Sequence, residues 1–184
     1  MIAGLVLAGG RSRRFGSEKA TVRLDGKTLL EHGLDALRAD CAALAVNTAA
    51  GSGAAAIATR LGLPVLEDGV DHPGGPLAGV AAGLAWAGRL GATHLATLPC
   101  DMPHAPTDLV HRLLAVSASA AFARTADGLH PLCAVWRIDL LAPLTATLAK
   151  GHPAVQAFLR EIGGEAVIFE DAPAFANINR PGDL

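Results

Sequence analysis

Excess charge of either sign is missing from this sequence, and that absence removes several classes of function at once. Fifteen Lys and Arg oppose 17 Asp and Glu, for a formal net charge of −2. Such a balance offers no broad basic face for nucleic acid or an anionic membrane. Long hydrophobic runs are missing too, since no apolar stretch approaches the ~18–20 residues of a membrane span. The apolar stretch Ile2–Ala8 is too short for the core of a secretory signal, and no basic region precedes it. Cysteine is scarce. Cys41, Cys100 and Cys133 are odd in number and show no C-x-x-C spacing, as expected of free thiols in a reducing cytoplasm. What is abundant is apolar: 51% of residues are hydrophobic and only 17% charged, a globular and not a disordered composition. The 184 residues suffice for one domain with a buried core. No repeat, low-complexity tract or long linker divides them, so residues 1–184 are expected to form a single domain.

Strand-length apolar runs alternate with helix-period segments along the chain. Ala3–Ala8 is a continuous apolar run stopped by Gly9-Gly10, the pattern of a strand buried on both faces. Leu30, Leu34 and Leu37 recur at helical spacing, then Ala43–Val46 reads as a strand, Ala54–Leu61 as a helix and Pro64–Leu66 as a short strand. Leu77, Val80, Ala81, Leu84 and Ala87 follow the i, i+3, i+4, i+7 rule of an amphipathic helix. Leu95–Leu98 is the next strand. Pro106 stands where a first helical turn would begin, ahead of Leu109, Val110, Leu113 and Leu114. Strands at Ala120–Ala123 and Leu132–Trp136, a helix through Val155, Phe158, Leu159 and Ile162, and a final strand at Ala166–Phe169 complete the pattern. Such alternation predicts an α/β fold, a mainly parallel Rossmann-like sheet with helices on both faces. Ligands of such sheets bind beyond the carboxyl ends of the strands.

Four segments at such positions carry candidate chemistry. Leu7-Ala8-Gly9-Gly10 leads into a loop holding Arg11, Arg13, Arg14 and Lys19. Its glycines let backbone N–H groups approach phosphate oxygens, and Arg14 and Lys19 add fixed positive charge. Two familiar phosphate loops are excluded: Gly16 is followed by Ser17-Glu18-Lys19-Ala20, not by Lys and Ser/Thr, and Gly9 and Gly10 are adjacent. The plainer alternative is a solvated basic loop. Asp101, in Leu98-Pro99-Cys100-Asp101-Met102-Pro103, suits magnesium, which takes hard oxygen ligands and substrate phosphates. It suits a turn residue equally well. Glu67-Asp68 precedes Pro73-Gly74-Gly75-Pro76-Leu77-Ala78-Gly79, a turn-rich loop opening onto a helix N-terminus that favours anions. Gly79 and Gly83 on that helix either admit a close neighbour or are incidental small residues. Asn177-Ile178-Asn179-Arg180-Pro181 is a turn builder at its plainest. Among the histidines, His32, His94, His104 and His111 lack metal-ligand spacing, and His130, ahead of Pro131-Leu132, is the better pocket candidate. Cys100 has no basic partner nearby in sequence and reads as a packing residue.

Taken together, these blocks resemble the molybdenum cofactor guanylyltransferases, the MobA-type nucleotidyltransferases. The resemblance covers nearly the whole chain. It rests on Leu7-Ala8-Gly9-Gly10 through Lys19, Gly75-Pro76-Leu77-Ala78-Gly79, Pro99-Cys100-Asp101-Met102-Pro103, His130-Pro131-Leu132 with Trp136, and Asn177-Ile178-Asn179-Arg180-Pro181. It implies transfer of GMP from GTP to molybdopterin with release of pyrophosphate, and Mg²⁺ as cofactor. Other cofactor-biosynthesis proteins and apo-molybdoenzymes would be partners. By the same resemblance, Leu7, Ala8 and Gly9 would hold the guanine nucleotide, Lys19 its phosphates, and Asn47 and Asp68 would complete the nucleotide site; the loop's own chemistry adds Gly10 and Arg14 to the phosphate-binding set. Asp101 would be the magnesium ligand. Gly79, His130, Asn177 and Asn179 would face the pterin.

Phe15, Glu18 and Ala134 depart from the family's usual Met, Asp and Gly. Within the same enzyme class, a cytidylyltransferase or a sugar-nucleotide pyrophosphorylase carries a similar glycine loop. Gly9-Gly10, where the cytidylyl branch typically resembles Ala-Ala-Gly, favours guanine. From another class comes a catalytically silent nucleotide or cofactor carrier, and the presence of both Asp101 and Lys19 counts against it.

Overall fold

The apolar hexapeptide Ile2–Leu7 opens the fold as strand β1, buried along almost its whole length. In the computed structural model, which describes residues 1–9, 18–69, 75–179 and 181–183, a 3₁₀ turn at Lys19–Thr21 leads into a hairpin of β2 (Arg23–Leu24) and β3 (Lys27–Thr28). Its two-residue turn is Asp25-Gly26, both at positive φ, a conformation that glycine and, next best, Asp and Asn tolerate. Helix α1 (Leu29–Arg38) starts on a capping box, with the Thr28 hydroxyl accepting from Glu31 N and the Glu31 carboxylate accepting from Thr28 N. Those hydrogen bonds favour the ionised carboxylate and hold Glu31 below its ordinary pKa.

The chain continues through β4 (Ala43–Asn47), α2 (Gly53–Arg60), β5 (Val65–Leu66), α3 (Pro76–Arg89) and β6 (His94–Pro99). After α4 (Leu109–Leu114) come β7 (Ala120–Thr125) and β8 (Gly128–Arg137), then α5 (Leu141–Leu148), α6 (Val155–Glu161) and β9 (Glu165–Ile168). Seven strands make one sheet in the order β5-β4-β1-β6-β8-β7-β9. Strand β8 is antiparallel to both β6 and β7, and the remaining pairings are parallel. Among the described residues, no helix is long and apolar enough to cross a membrane.

Period-2 alternation along β1 divides its side chains between two cores. Val6 packs with Leu30, Leu34 and Leu37 of α1 on one face, and Leu5 with Val80 and Leu84 of α3 on the other. Helices α5 and α6 join the second core through Leu144, Leu148, Phe158 and Leu159, around the fully buried Trp136. The expected mainly parallel sheet covered on both faces is therefore present, and its strand and helix order follows the apolar pattern closely.

Three features differ from the pattern. Helix α4 begins at Leu109, after Asp108; Pro106 lies before it, its carbonyl accepting from Leu109 N at 3.1 Å, so the proline shapes the approach and not the first turn. The hairpin β2–β3 is too short to show alternation. Helix α5 is marked in sequence only by Leu140, Leu144 and Leu148 at spacings of four, which the pattern of strands around it conceals.

Thr97 in β6 is almost wholly buried, and its hydroxyl accepts from Trp136 Nε1 (2.9 Å) while donating to Leu132 O (2.7 Å). Valine has the shape of threonine but no acceptor, so Thr97→Val leaves the indole N–H buried and unsatisfied. That loss is expected to cost about 1–3 kcal/mol, read as a lower urea midpoint with an unchanged m value.

Candidate functional site

Register brings three strand ends to one level. Leu7 of β1 lies opposite Asn47 of β4 on one side and opposite Pro99 of β6 on the other. The ladder runs one residue further in both directions, with Ala8 N donating to Asn47 O (2.9 Å) and Cys100 N donating to Leu7 O (3.1 Å). From β1 the chain crosses by α1 to β4 on one side; from β5 it crosses by α3 to β6 on the other, and α1 and α3 lie on opposite faces. The carboxyl ends of β1 and β6 thus flank a topological switch point, the place where open α/β sheets form a ligand crevice.

Lys19 and Asp101 meet across that crevice. Lys19 Nζ is 3.1 Å from Asp101 Oδ2 and donates at 2.8 Å to Asn179 Oδ1. The two charged side chains remain about one-fifth exposed, at 19% and 22%, so both stay within reach of a ligand. The C-terminal segment is fastened to the same place by Ile178 N, which donates to Asp101 O at 2.8 Å. Three segments far apart in sequence converge here. Asn177, by contrast, is exposed, and its backbone oxygen accepts from Asn179 Nδ2 at 3.5 Å. Gly10 and Arg14, with the rest of 10–17, lie outside the described residues, as do Pro73, Gly74 and Arg180.

A second group gathers at the end of β4. Buried Asn47 donates through Nδ2 to Leu66 O and to Asp68 Oδ1, both at 3.0 Å. Gly79 of α3 lies directly against it: a Cβ there would fall 2.3 Å from Asn47 Oδ1 and 3.1 Å from Leu7 Cδ2. Gly9 faces the same carboxamide, with a Cβ position 3.5 Å from Oδ1. Leu7, Gly9, Asn47, Asp68 and Gly79 therefore form one cluster, and the missing side chain at Gly79 is what leaves room for the Asn47 carboxamide. Leu7 and Ala8 are buried, and Gly9 is exposed beyond them.

His130 stands apart from both groups. Its Nε2 pairs with Thr125 Oγ1 at 2.9 Å, and its ring packs on Phe175 with centroids 4.9 Å apart. Phe175 leads into the 177–179 segment, which links the tip of the β7–β8 hairpin to the crevice rim. Burial and, next, the Asp101 charge push the Cys100 thiol up to about 12, so it stays protonated near neutral pH and is no nucleophile. Glu18, marked in the sequence only as a departure from the family's Asp, accepts through its carboxylate from Gly53 N (2.7 Å) and Ala54 N (2.9 Å) at the start of α2. No local motif signals it, because the partners are 35 and 36 residues away.

Elsewhere, a cleft of about 600 Å³ lined by residues including His94, Ser117, Arg137 and Asp139 opens at the opposite end of the sheet, where β6 begins and β8 ends. None of the sequence-selected site residues lines it. Among the described residues, no group of three or more His, Cys, Asp or Glu side chains could hold a metal ion. The described crevice thus offers the Asp101 carboxylate beside the Lys19 ammonium, with the Asp183 carboxylate accepting from Asn179 N at 2.8 Å. That donor set fits magnesium, which binds through one or two carboxylates, water and substrate phosphates.

A family model described as "MobA-like NTP transferase domain" matches residues 4–166. A protein named molybdenum cofactor guanylyltransferase from Cereibacter sphaeroides is 41% identical over 183 residues, 98% of this chain and 92% of the relative. Among solved structures, the molybdopterin-guanine dinucleotide biosynthesis protein A of Archaeoglobus fulgidus superposes with a TM-score of 0.76 at 22% identity, covering 100% of this chain and 94% of that one. A Mycobacterium tuberculosis protein solved as a complex with manganese gives a TM-score of 0.65 at 20% identity, covering 93% and 89%.

Burial lowers the pKa of His130, with Asp127 partly opposing the shift. The fold therefore favours the neutral ring. Its contribution to stability is full above the unfolded value of about 6.5 and is lost as pH falls through the lower folded value. Titration of the His130 ring followed by NMR is expected to show a midpoint below about 6.5; a midpoint above it would contradict the burial argument.

Proposed function

The chain belongs to the MobA-like NTP transferase family and is a nucleotidyltransferase, and from that premise we propose that it transfers GMP from GTP to molybdopterin, releasing pyrophosphate. The observation that carries this reading is the meeting of Lys19, Asp101 and Asn179 at the switch point of the sheet. A cation, a carboxylate and a carboxamide held together beyond the strand ends suit a bound triphosphate. The name of the Cereibacter sphaeroides relative supports guanine as the base and molybdopterin as the acceptor.

In this reading the Leu7-Ala8-Gly9-Gly10 segment, Asn47 and Asp68 hold the nucleoside. Asn47 fixes the Asp68 carboxylate by its 3.0 Å hydrogen bond, and the other carboxylate oxygen, for which no bond to the described residues is found, would accept from base N–H donors. Gly79 contributes by keeping the Asn47 carboxamide in place. Lys19 and Arg14 carry the phosphates, while His130, Asn177 and Asn179 line the acceptor side. Asp101 would hold a magnesium ion, which when bound neutralises charge on the triphosphate oxygens; a manganese complex among the structural relatives supports a divalent cation.

The reacting bond change is simple. An oxygen of the acceptor's terminal phosphate forms a bond to the α-phosphorus of GTP as the bond from that phosphorus to the α–β bridging oxygen breaks. Pyrophosphate leaves with the electron pair. Lys19 stabilises the charge that accumulates on the leaving oxygens, a role suited to a preorganised cation in a partly desolvated crevice. The phosphate nucleophile is already ionised near neutral pH, so no general base is required. One sheet running from Ile2 to Ile168 supports a single domain. Three unpaired thiols, two of them buried, support a reducing cytoplasm.

Asp101→Ala is expected to lower kcat by about 10²–10³, with Cys100→Ser near normal, both followed by pyrophosphate release. Full activity of Asp101→Ala with magnesium would remove the metal assignment. A nucleotide panel with molybdopterin should rank GTP above CTP. Preference for CTP would overturn the guanylyl reading, and GTP binding without pyrophosphate release would identify a carrier.

A further inference from the structure

Glu18 and Lys19 are neighbours whose side chains serve different parts of the fold. Lys19 reaches Asp101 and Asn179 in the crevice. Glu18 turns to the start of α2, where Oε2 accepts from Gly53 N at 2.7 Å and Oε1 from Ala54 N at 2.9 Å. The first N–H groups of a helix have no partners within it, and a carboxylate there also complements the helix dipole. Yet α2 already possesses an N-cap, since Ser52 Oγ accepts from Ala55 N at 3.0 Å. Ser52 leaves Gly53 N and Ala54 N without partners inside the helix, and the two oxygens of Glu18 supply one to each, tying the helix start to a residue 35 positions earlier.

Two further details show a segment clamped at a defined position. Thr21 N and Thr21 Oγ1 both donate to Glu18 O, at 3.0 and 2.8 Å, and Val22 N donates to Lys19 O at 3.0 Å, closing a tight turn around Lys19. Opposite it stands Gly53, where a Cβ would lie 2.5 Å from Thr21 Cγ2 and 3.0 Å from Glu18 Oε2. The absent side chain lets the turn seat against the helix start.

We propose that Glu18 is a positioning residue, which fastens the turn to α2 so that the Lys19 ammonium is presented to the triphosphate. Its own negative charge is engaged by the helix N-terminus. The proposal rests on the reading of Lys19 as a phosphate contact. Glu18 itself touches no substrate.

The test compares Glu18→Gln, Lys19→Ala and their double variant with Ser52→Ala and Ser52→Ala/Lys19→Ala, in the full chain. Ser52→Ala weakens the same helix end without releasing the turn. Steady-state pyrophosphate release gives kcat/KM for GTP, and thermal unfolding gives Tm. Glutamine presents an N–H where a second acceptor is required, so one of the two hydrogen bonds to Gly53 N and Ala54 N is lost together with the carboxylate charge. Glu18→Gln is expected to lower kcat/KM roughly 10- to 100-fold, since a displacement of about 1 Å can cost ~10². In the Lys19→Ala background it should add no more than about twofold, because the two residues act as a unit. Ser52→Ala should lower Tm while leaving kcat/KM within about twofold of wild type.

The proposal is overturned if Glu18→Gln leaves kcat/KM near wild type, or if its loss is undiminished in the Lys19→Ala background. Equal losses in Glu18→Gln and Ser52→Ala would also overturn it, by reducing Glu18 to a helix cap. An unimpaired Lys19→Ala would instead remove the phosphate assignment beneath it, and the proposal with it.

Discussion

Alignment of three strand ends is the constraint on which the rest of this molecule depends. Asn47, Leu7 and Pro99 lie side by side in a parallel ladder, so the chain leaves β4, β1 and β6 at one level. A one-residue slip of β1 would exchange its two side-chain faces, moving Val6 into the α3 core and Leu5 into the α1 core. Both cores are built on that alternation from residues almost wholly removed from water. The hydrophobic effect therefore locks the register, and the register in turn delivers the polar residues beyond it to a common crevice.

Electrostatics in that crevice are local. A net charge of −2 supplies no general field for an anionic substrate, so attraction must come from a few fixed groups. The 3.1 Å Lys19–Asp101 pair is one such arrangement, partly exposed and joined by the Asn179 amide. In the ligand-free protein each charge offsets the other. In the proposed reaction the same two groups would have separate work: the ammonium would face phosphate oxygens and the carboxylate the cation. Asn47 has a comparable dual place, since its backbone oxygen extends the sheet ladder to Ala8 while its side chain holds Asp68.

Much of the architecture was legible because the central strands are buried on both faces. Ala3–Ala8, Ala43–Val46 and Leu95–Leu98 read as continuous apolar runs, and helices α1 and α3 carry a clear 3.6-residue period. Elements with weaker burial were harder. Strands β2 and β3 have two residues each and no period to detect. The reading of Pro106 as the start of a helix confused a residue that suits a first turn with one that ends the preceding loop.

By itself the sequence determined the α/β class, the chain order of the longer strands and of the helices other than α5, and the loops that carry polar chemistry, since apolar periodicity is a local property of the chain. It also supplied the family resemblance, through short motifs each contained within a few residues. Only the tertiary structure decided which motifs meet. Lys19 pairs with residues 82 and 160 positions away, and Glu18 grips a helix 35 residues on. Gly79 proves to face Asn47. Such contacts join segments brought together by sheet register and core packing, and no short-range pattern encodes them.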